Sequence, residues 1–273
     1  MNIRSLATFA VGLLLGSGAA LATPVQSTTT TLLTLRNCIA GTTACDGIST
    51  TIASAIDGLP ADSSSSASLT DSAFGAALSG STQITSPGSS LLTGSATSAA
   101  GKRNSTNQGS LQRFTYMGGT PATLTFWASI AYNQTVPTEN ANFDPNNAAA
   151  VFSGVSGGIE VFTIDDAEIE AGATERTNFN TIFGGYTNAP GYTTLGSASS
   201  ASSNLTGSGS NNLSVSFNVN SGQSVWLMAR MQTPAVNGAS VSATMVTGIP
   251  APGTLALAAL GLAVIGFSRS RRV

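Results

Sequence analysis

The segment Leu213–Asn220, LSVSFNVN, places Leu213, Val215, Phe217 and Val219 on one side and Ser214, Ser216, Asn218 and Asn220 on the other. A period of two sends apolar side chains to one face of an extended chain, whereas a helix would scatter them around its circumference. The segment therefore predicts a half-buried strand. LTFWASIAY (124–132) repeats the pattern through Leu124, Phe126, Ala128, Ile130 and Tyr132, and GIEVFTI (158–164) does so less cleanly. SVWLMARMQ (224–232) follows Ser-Gly-Gln, read as a short hairpin turn, and ASVSATMV (239–246) follows Asn237-Gly238, a dipeptide favoured in type I′ turns. Three consecutive antiparallel strands are expected to end the body. With turn cues, no convincing long helix and no repeat of fixed period, the expected fold class is all-β. It is an antiparallel, jelly-roll-like β-sandwich with an N-terminal signal segment and a single C-terminal transmembrane helix.

Composition narrows the chemistry. Charged residues make up only 8% of the 273, and there is no histidine. A Ser-His-Asp triad, a papain-like Cys-His pair and a His-ligated zinc site are excluded. Arg4, Arg269, Arg271 and Arg272 lie in the terminal segments, while all twelve acids lie between them against six basic residues. An acidic body lacks the clustered Lys and Arg that phosphate neutralisation needs, so nucleic acid is not an expected partner.

The two ends carry addresses. At the N-terminus, Arg4 precedes an apolar run from Leu6 to Leu15, too short to span a bilayer. Ala20-Leu21-Ala22 then forms a small-x-small site, so residues 1–22 read as a signal peptide cut by signal peptidase before Thr23. At the C-terminus, Gly253 to Phe267 carries no charge and would span about 22 Å as a helix; the uncharged stretch from Ile249 to Ser268 closes most of the gap to a hydrocarbon core of about 30 Å. Pro250 and Pro252 mark the entry to that helix because neither fits inside it. Arg269, Arg271 and Arg272 stay cytoplasmic by the positive-inside bias, which leaves the body outside.

A Pro-x-Pro motif, an Ala/Leu/Gly-rich apolar helix and a terminal arginine cluster in that order resemble the PEP-CTERM sorting signal of exported proteins in Gram-negative bacteria. Ile249-Pro250-Ala251-Pro252 stands where the family has Val-Pro-Glu-Pro, with alanine in place of the glutamate. The resemblance covers residues 249–273 only. It implies that an exosortase-type membrane enzyme cuts near the motif and passes the protein to the outer surface or extracellular matrix. It further implies a setting of exopolysaccharide and biofilm matrix, and Ser/Thr-rich bodies that carry glycans. A plain membrane anchor that is never cut is the other reading of the tail.

Residues 23–110 are rich in Ser, Thr, Ala and Gly, as in ADSSSSASLT and TGSATSAAGKRNSTNQGS, and bury little apolar area as read from sequence. Leu32, Leu33 and Leu35, then Leu69, Phe74 and Leu78, are expected to pack as short strands within a partly mobile region. Cys38 and Cys45 are the only cysteines. In an oxidising exported setting they are expected to form a disulfide, worth about 2–3 kcal/mol for so short a loop. The legible β-sandwich body occupies residues 111–248.

Few residues offer chemistry. Asp165, Asp166, Glu168 and Glu170, in IDDAEIE, could supply oxygens to calcium, although their spacing is not that of an EF-hand loop; a solvated acidic loop is the plainer account. Glu160, Asp165, Asp166 and Glu168 are the carboxylates that an acid-pair hydrolase would draw on. Trp127, Trp226 and the Tyr186/Tyr192 loop are candidate platforms for sugar rings, with core packing the alternative for both tryptophans. SGVSGG (153–158) has glycines but no lysine and no following helix, and reads as a turn. The leading expectation is a non-enzymatic, cofactor-free exported protein with a structural or adhesive role. The alternative is a carbohydrate-binding module that recognises exopolysaccharide.

Overall fold

The computed structural model describes residues 29–40, 45–55, 64–71, 76–86, 88–137, 151–165, 190–203 and 206–249. Among them are twelve strands and no helix: β1 (Thr29–Ile39), β2 (Cys45–Ala55), β3 (Ser64–Asp71), β4 (Ala76–Ser86), β5 (Ser89–Thr97), β6 (Lys102–Thr115), β7 (Ala122–Thr135), β8 (Phe152–Thr163), β9 (Thr193–Ser203), β10 (Gly207–Val219), β11 (Ser224–Val236) and β12 (Ser240–Gly248). Ala20 and Ala22 of the signal segment lie outside the described residues, as do Pro250, Pro252, Arg269, Arg271 and Arg272 of the tail. Among the described residues no helix is long and apolar enough to cross a membrane.

The strands form two antiparallel sheets, sheet A in the order β2-β1-β6-β11-β8-β9 and sheet B in the order β10-β7-β12-β5-β4-β3. The sheets stack face to face: β6 lies over β4 and β5, β11 over β5 and β12, β8 over β7, and β9 over β10. Their shared core joins Phe114, Val161, Leu227 and Met231 of sheet A to Phe126, Ile130, Phe217 and Met245 of sheet B. Alternation works as expected in β10, where Leu213, Val215, Phe217 and Val219 are buried and the residues between them exposed. The body is all-β and sandwich-like.

The expected hairpins at its end do not form. β10 and β12 both belong to sheet B with β7 between them, whereas β11 belongs to sheet A. The turns after Val219 and Val236 therefore carry the chain from one layer to the other. The local turn chemistry is as the sequence suggests: Asn237 and Gly238 have φ of 54° and 88°, and the Ala239 N–H donates to the Val236 carbonyl at 3.3 Å. A tight reversal does not decide whether the next strand lies beside its predecessor or across from it. β11 decides, because Val225, Trp226, Leu227, Met228 and Ala229 are all buried. Such a run must be covered on both faces: Val225, Leu227 and Ala229 join the shared core, while Trp226 and Met228 pack with Leu111 and Phe162 on the other side.

SGVSGG is not a turn: these residues lie within β8. The glycines make room in the sheet. A Cβ at Gly157 would stand 2.4 Å from Ile130 Cδ1, and one at Gly154 would stand 2.7 Å from the Phe152 ring.

β6 begins well before residue 111 and turns a polar seam inward. Asn104, Thr106, Gln108, Ser110 and Gln112 are all buried. Ser110 Oγ donates to Ser90 Oγ at 2.8 Å, and Ser90 and Thr247 share a hydroxyl contact of 2.8 Å. Gln112 Nε2 donates to the Ser89 carbonyl at 3.1 Å while its Oε1 accepts from the Gly88 N–H at 3.0 Å. Thr106 pairs with Thr233, and Gln108 Nε2 donates to Thr106 Oγ1 at 2.6 Å. Each such bond contributes about 1 kcal/mol net, and the larger effect is the penalty for any group left without one. Asn104 Oδ1 and Gln108 Oε1 are buried without a partner.

Candidate functional site

The outer face of sheet B is built by β7 and its neighbours. Because side chains alternate, burying Leu124, Phe126, Ala128 and Ile130 obliges Thr125, Trp127, Ser129 and Ala131 to face outward. The register then sets Trp127 between Ser214 of β10 and Gly248 of β12. A Cβ on Gly248 would lie 3.1, 3.1 and 3.2 Å from Trp127 Cε2, Cζ2 and Nε1. Near-equal distances to three consecutive ring atoms mean that the indole presents its face, not its edge, to the glycine. The half-buried ring thus lies down on the sheet with its other face outward.

Among the described residues, the outward positions of β7, β10 and β12 around it carry no charge. Thr123 Oγ1 donates to Asn218 Oδ1 at 2.7 Å, and Thr125 and Ser216 share a hydroxyl contact of 3.1 Å. Val246, 41% exposed, sits opposite Ser129 on one side and Leu91 on the other. Further along the strands a depression of about 520 Å³ is lined by Ser79, Thr93, Ser95, Asn133, Ser208, Ser242 and Thr244 among others.

Sheet A carries a different arrangement. Trp226, 2% exposed, packs with Leu111, Phe162 and Met228, so it is a core residue and not a platform. Tyr192 packs against the same cluster, its ring centroid 5.4 Å from that of Phe162, and its hydroxyl donates to Glu160 Oε1. Burial, then the hydrogen bond to Glu160 and that carboxylate's charge, push the phenol up to about 12, against a smaller opposing pull from Thr194 and Arg230. Tyr192 is therefore a neutral donor near pH 7. Arg230 is exposed and reaches over β8, where a Cβ on Gly158 would meet its Nε at 3.5 Å. Glu160, Arg230, Ser197 and Ser199 line a depression of about 150 Å³. The sequence reading did not single out Arg230; its signal was the one charged residue of β11.

Several of the remaining candidates fall outside the described residues. Tyr186, Asp166, Glu168 and Glu170 lie outside the described residues. Asp165 is exposed, its N–H donating to the Pro190 carbonyl at 3.5 Å. No group of three or more potential metal ligands occurs among the described residues. Cys38, 2% exposed, is the cross-strand partner of Cys45 between β1 and β2. No family model and no curated protein matches the chain.

Proposed function

We propose that this chain is an exported surface or extracellular-matrix protein of a Gram-negative bacterium with a structural or adhesive, non-enzymatic role. In this reading residues 1–22 direct export, and Pro250, Pro252 and the arginines at 269, 271 and 272 present the tail to an exosortase-type enzyme. The observation that carries it is the order Pro-x-Pro, uncharged apolar run, arginine cluster within residues 249–273. The all-β body is compatible with that role. We read it as jelly-roll-like because from β5 onward the chain passes B, A, B, A, A, B, A, B between sheets, with β5-β12-β7-β10 facing β6-β11-β8-β9. That is the order of two Greek keys wound together. A Cys38–Cys45 disulfide fits their pairing across β1 and β2, since antiparallel partners lie about 4.5–5.5 Å apart at Cα, within disulfide range. No free cysteine occurs among the described residues.

Intact mass of the protein collected outside the cell tests the proposal. The expected species has lost the segment up to Ala22 and the tail from near Pro250, and the pair of hydrogens that a disulfide removes. Extracellular protein still ending at Val273 refutes the sorting role.

A second reading, a carbohydrate-binding module for exopolysaccharide, is favoured by one observation: Trp127 lies flat and partly exposed on an uncharged sheet face. Retention of the full chain on the host's own polysaccharide tests it, and no retention removes it.

A further inference from the structure

We infer that the outer face of sheet B is a binding site for a neutral polysaccharide chain, with one sugar ring stacked on Trp127 and its neighbours laid into the hydroxyl-lined depression beyond. The inference rests on the carbohydrate-binding reading and adds the place and the ligand class. The indole is held from below by Gly248, where any side chain would lift it, so a rigid aromatic face is presented outward. An aromatic face carries the negative side of its quadrupole and complements the C–H face of a pyranose. Val246 and Leu91 extend the apolar footing on one side.

Four residues along β7, about 14 Å at the strand rise, Ala131 enters the depression, with Thr244 beside it and Thr93 beyond. Their hydroxyls, with those of Ser242 and Ser95, both donate and accept, as sugar hydroxyls require. Charge selects the ligand. No Lys, Arg, Asp or Glu stands at an outward position of β4, β5, β7, β10 or β12 among the described side chains, and the chain carries a net charge of −2. A uronate would lose water there without gaining a cation, whereas a neutral glycan has no charge to desolvate and exchanges water for the hydroxyls of this face.

The full chain, kept in a non-sugar detergent, is passed over amorphous cellulose and cross-linked dextran as neutral glycans and over alginate as a polyuronate. Intrinsic fluorescence is read in parallel, since Trp127 and Trp226 are the only tryptophans and only Trp127 lies at the surface. The expected result is retention on a neutral glycan that persists at about 0.5 M salt, where exposed ion pairs are screened. It is accompanied by a blue shift that Trp127→Phe abolishes. Trp127→Ala is expected to weaken binding at least about tenfold, as loss of an aromatic anchor does, and Thr244→Lys, a surface change on the same face, to weaken it as well. Retention that both variants keep overturns the location and leaves the carbohydrate reading standing. Retention on alginate alone, lost in salt, overturns the ligand class. No retention on any of the three overturns both.

Discussion

Replacing Gly94 with alanine drives a methyl group into the polar seam of β6. The new Cβ would lie 2.6 Å from Gln108 Nε2, 2.6 Å from Thr106 Oγ1 and 3.0 Å from Gln108 Oε1, and both neighbours are fully buried. One of them must move. Overpacking costs about 1–3 kcal/mol, and displacing the Gln108 amide forfeits its bond to Thr106, about 1 kcal/mol more. The gain from removing a flexible glycine from a strand, about 0.5–1 kcal/mol, offsets part of this and leaves a net loss of about 1–3.5 kcal/mol. Equilibrium urea unfolding of the full chain measures it, with Gly119→Ala as the control, because nothing lies within 4 Å of a Cβ there. Gln108→Ala alone is expected to cost about 1–2 kcal/mol. The double variant should lose at least about 1 kcal/mol less than the two single losses summed, since the methyl then enters the space the amide has left. A Gly94→Ala protein within about 0.5 kcal/mol of the parent, or losses that simply add, would refute the packing argument.

Two further outcomes follow from local geometry. Tyr192 is raised from 10.0 to about 12 in the fold, so its contribution is complete below pH 10 and is lost as pH rises towards 12, where the unfolded phenol has ionised and the folded one has not; ultraviolet titration should show a late-ionising phenol that Tyr192→Phe removes, and a variant that instead loses amplitude near pH 10 would contradict the burial of Tyr192 and its Glu160 contact. Gly238, at φ 88°, should lose about 1–2 kcal/mol on substitution by alanine; a loss under about 0.5 kcal/mol by urea unfolding would argue against its left-handed conformation.

Fold class was legible where burial is one-sided. In β7, β10 and β12 a covered face opposes an open one, and period-two patterning reports that directly. It failed for β6, because a strand whose inward side chains are Asn, Thr, Gln, Ser and Gln carries no apolar rhythm; the signal there is hydrogen-bond matching to β5 and β11, which no linear pattern contains. It failed again for SGVSGG, where glycines mark crowding by Ile130 and Phe152 and not a reversal. The outward position of Trp127 was readable from its place beside Phe126, but its flat posture was not, since that depends on Gly248, more than a hundred residues away. Trp226 shows the converse, an outward-pointing residue that a second layer of contacts encloses.

The place of β12 has a mechanical consequence. This last strand is wedged between β5 and β7, it ends at Gly248, and Ile249 packs against the shared core. Whatever pulls on the C-terminal segment therefore loads an interior strand along its axis. Force is shared by ladders on both flanks, which must slide together, instead of opening a border strand one bond at a time. A body tethered at that end resists detachment by drag better than one tethered through β2 or β3.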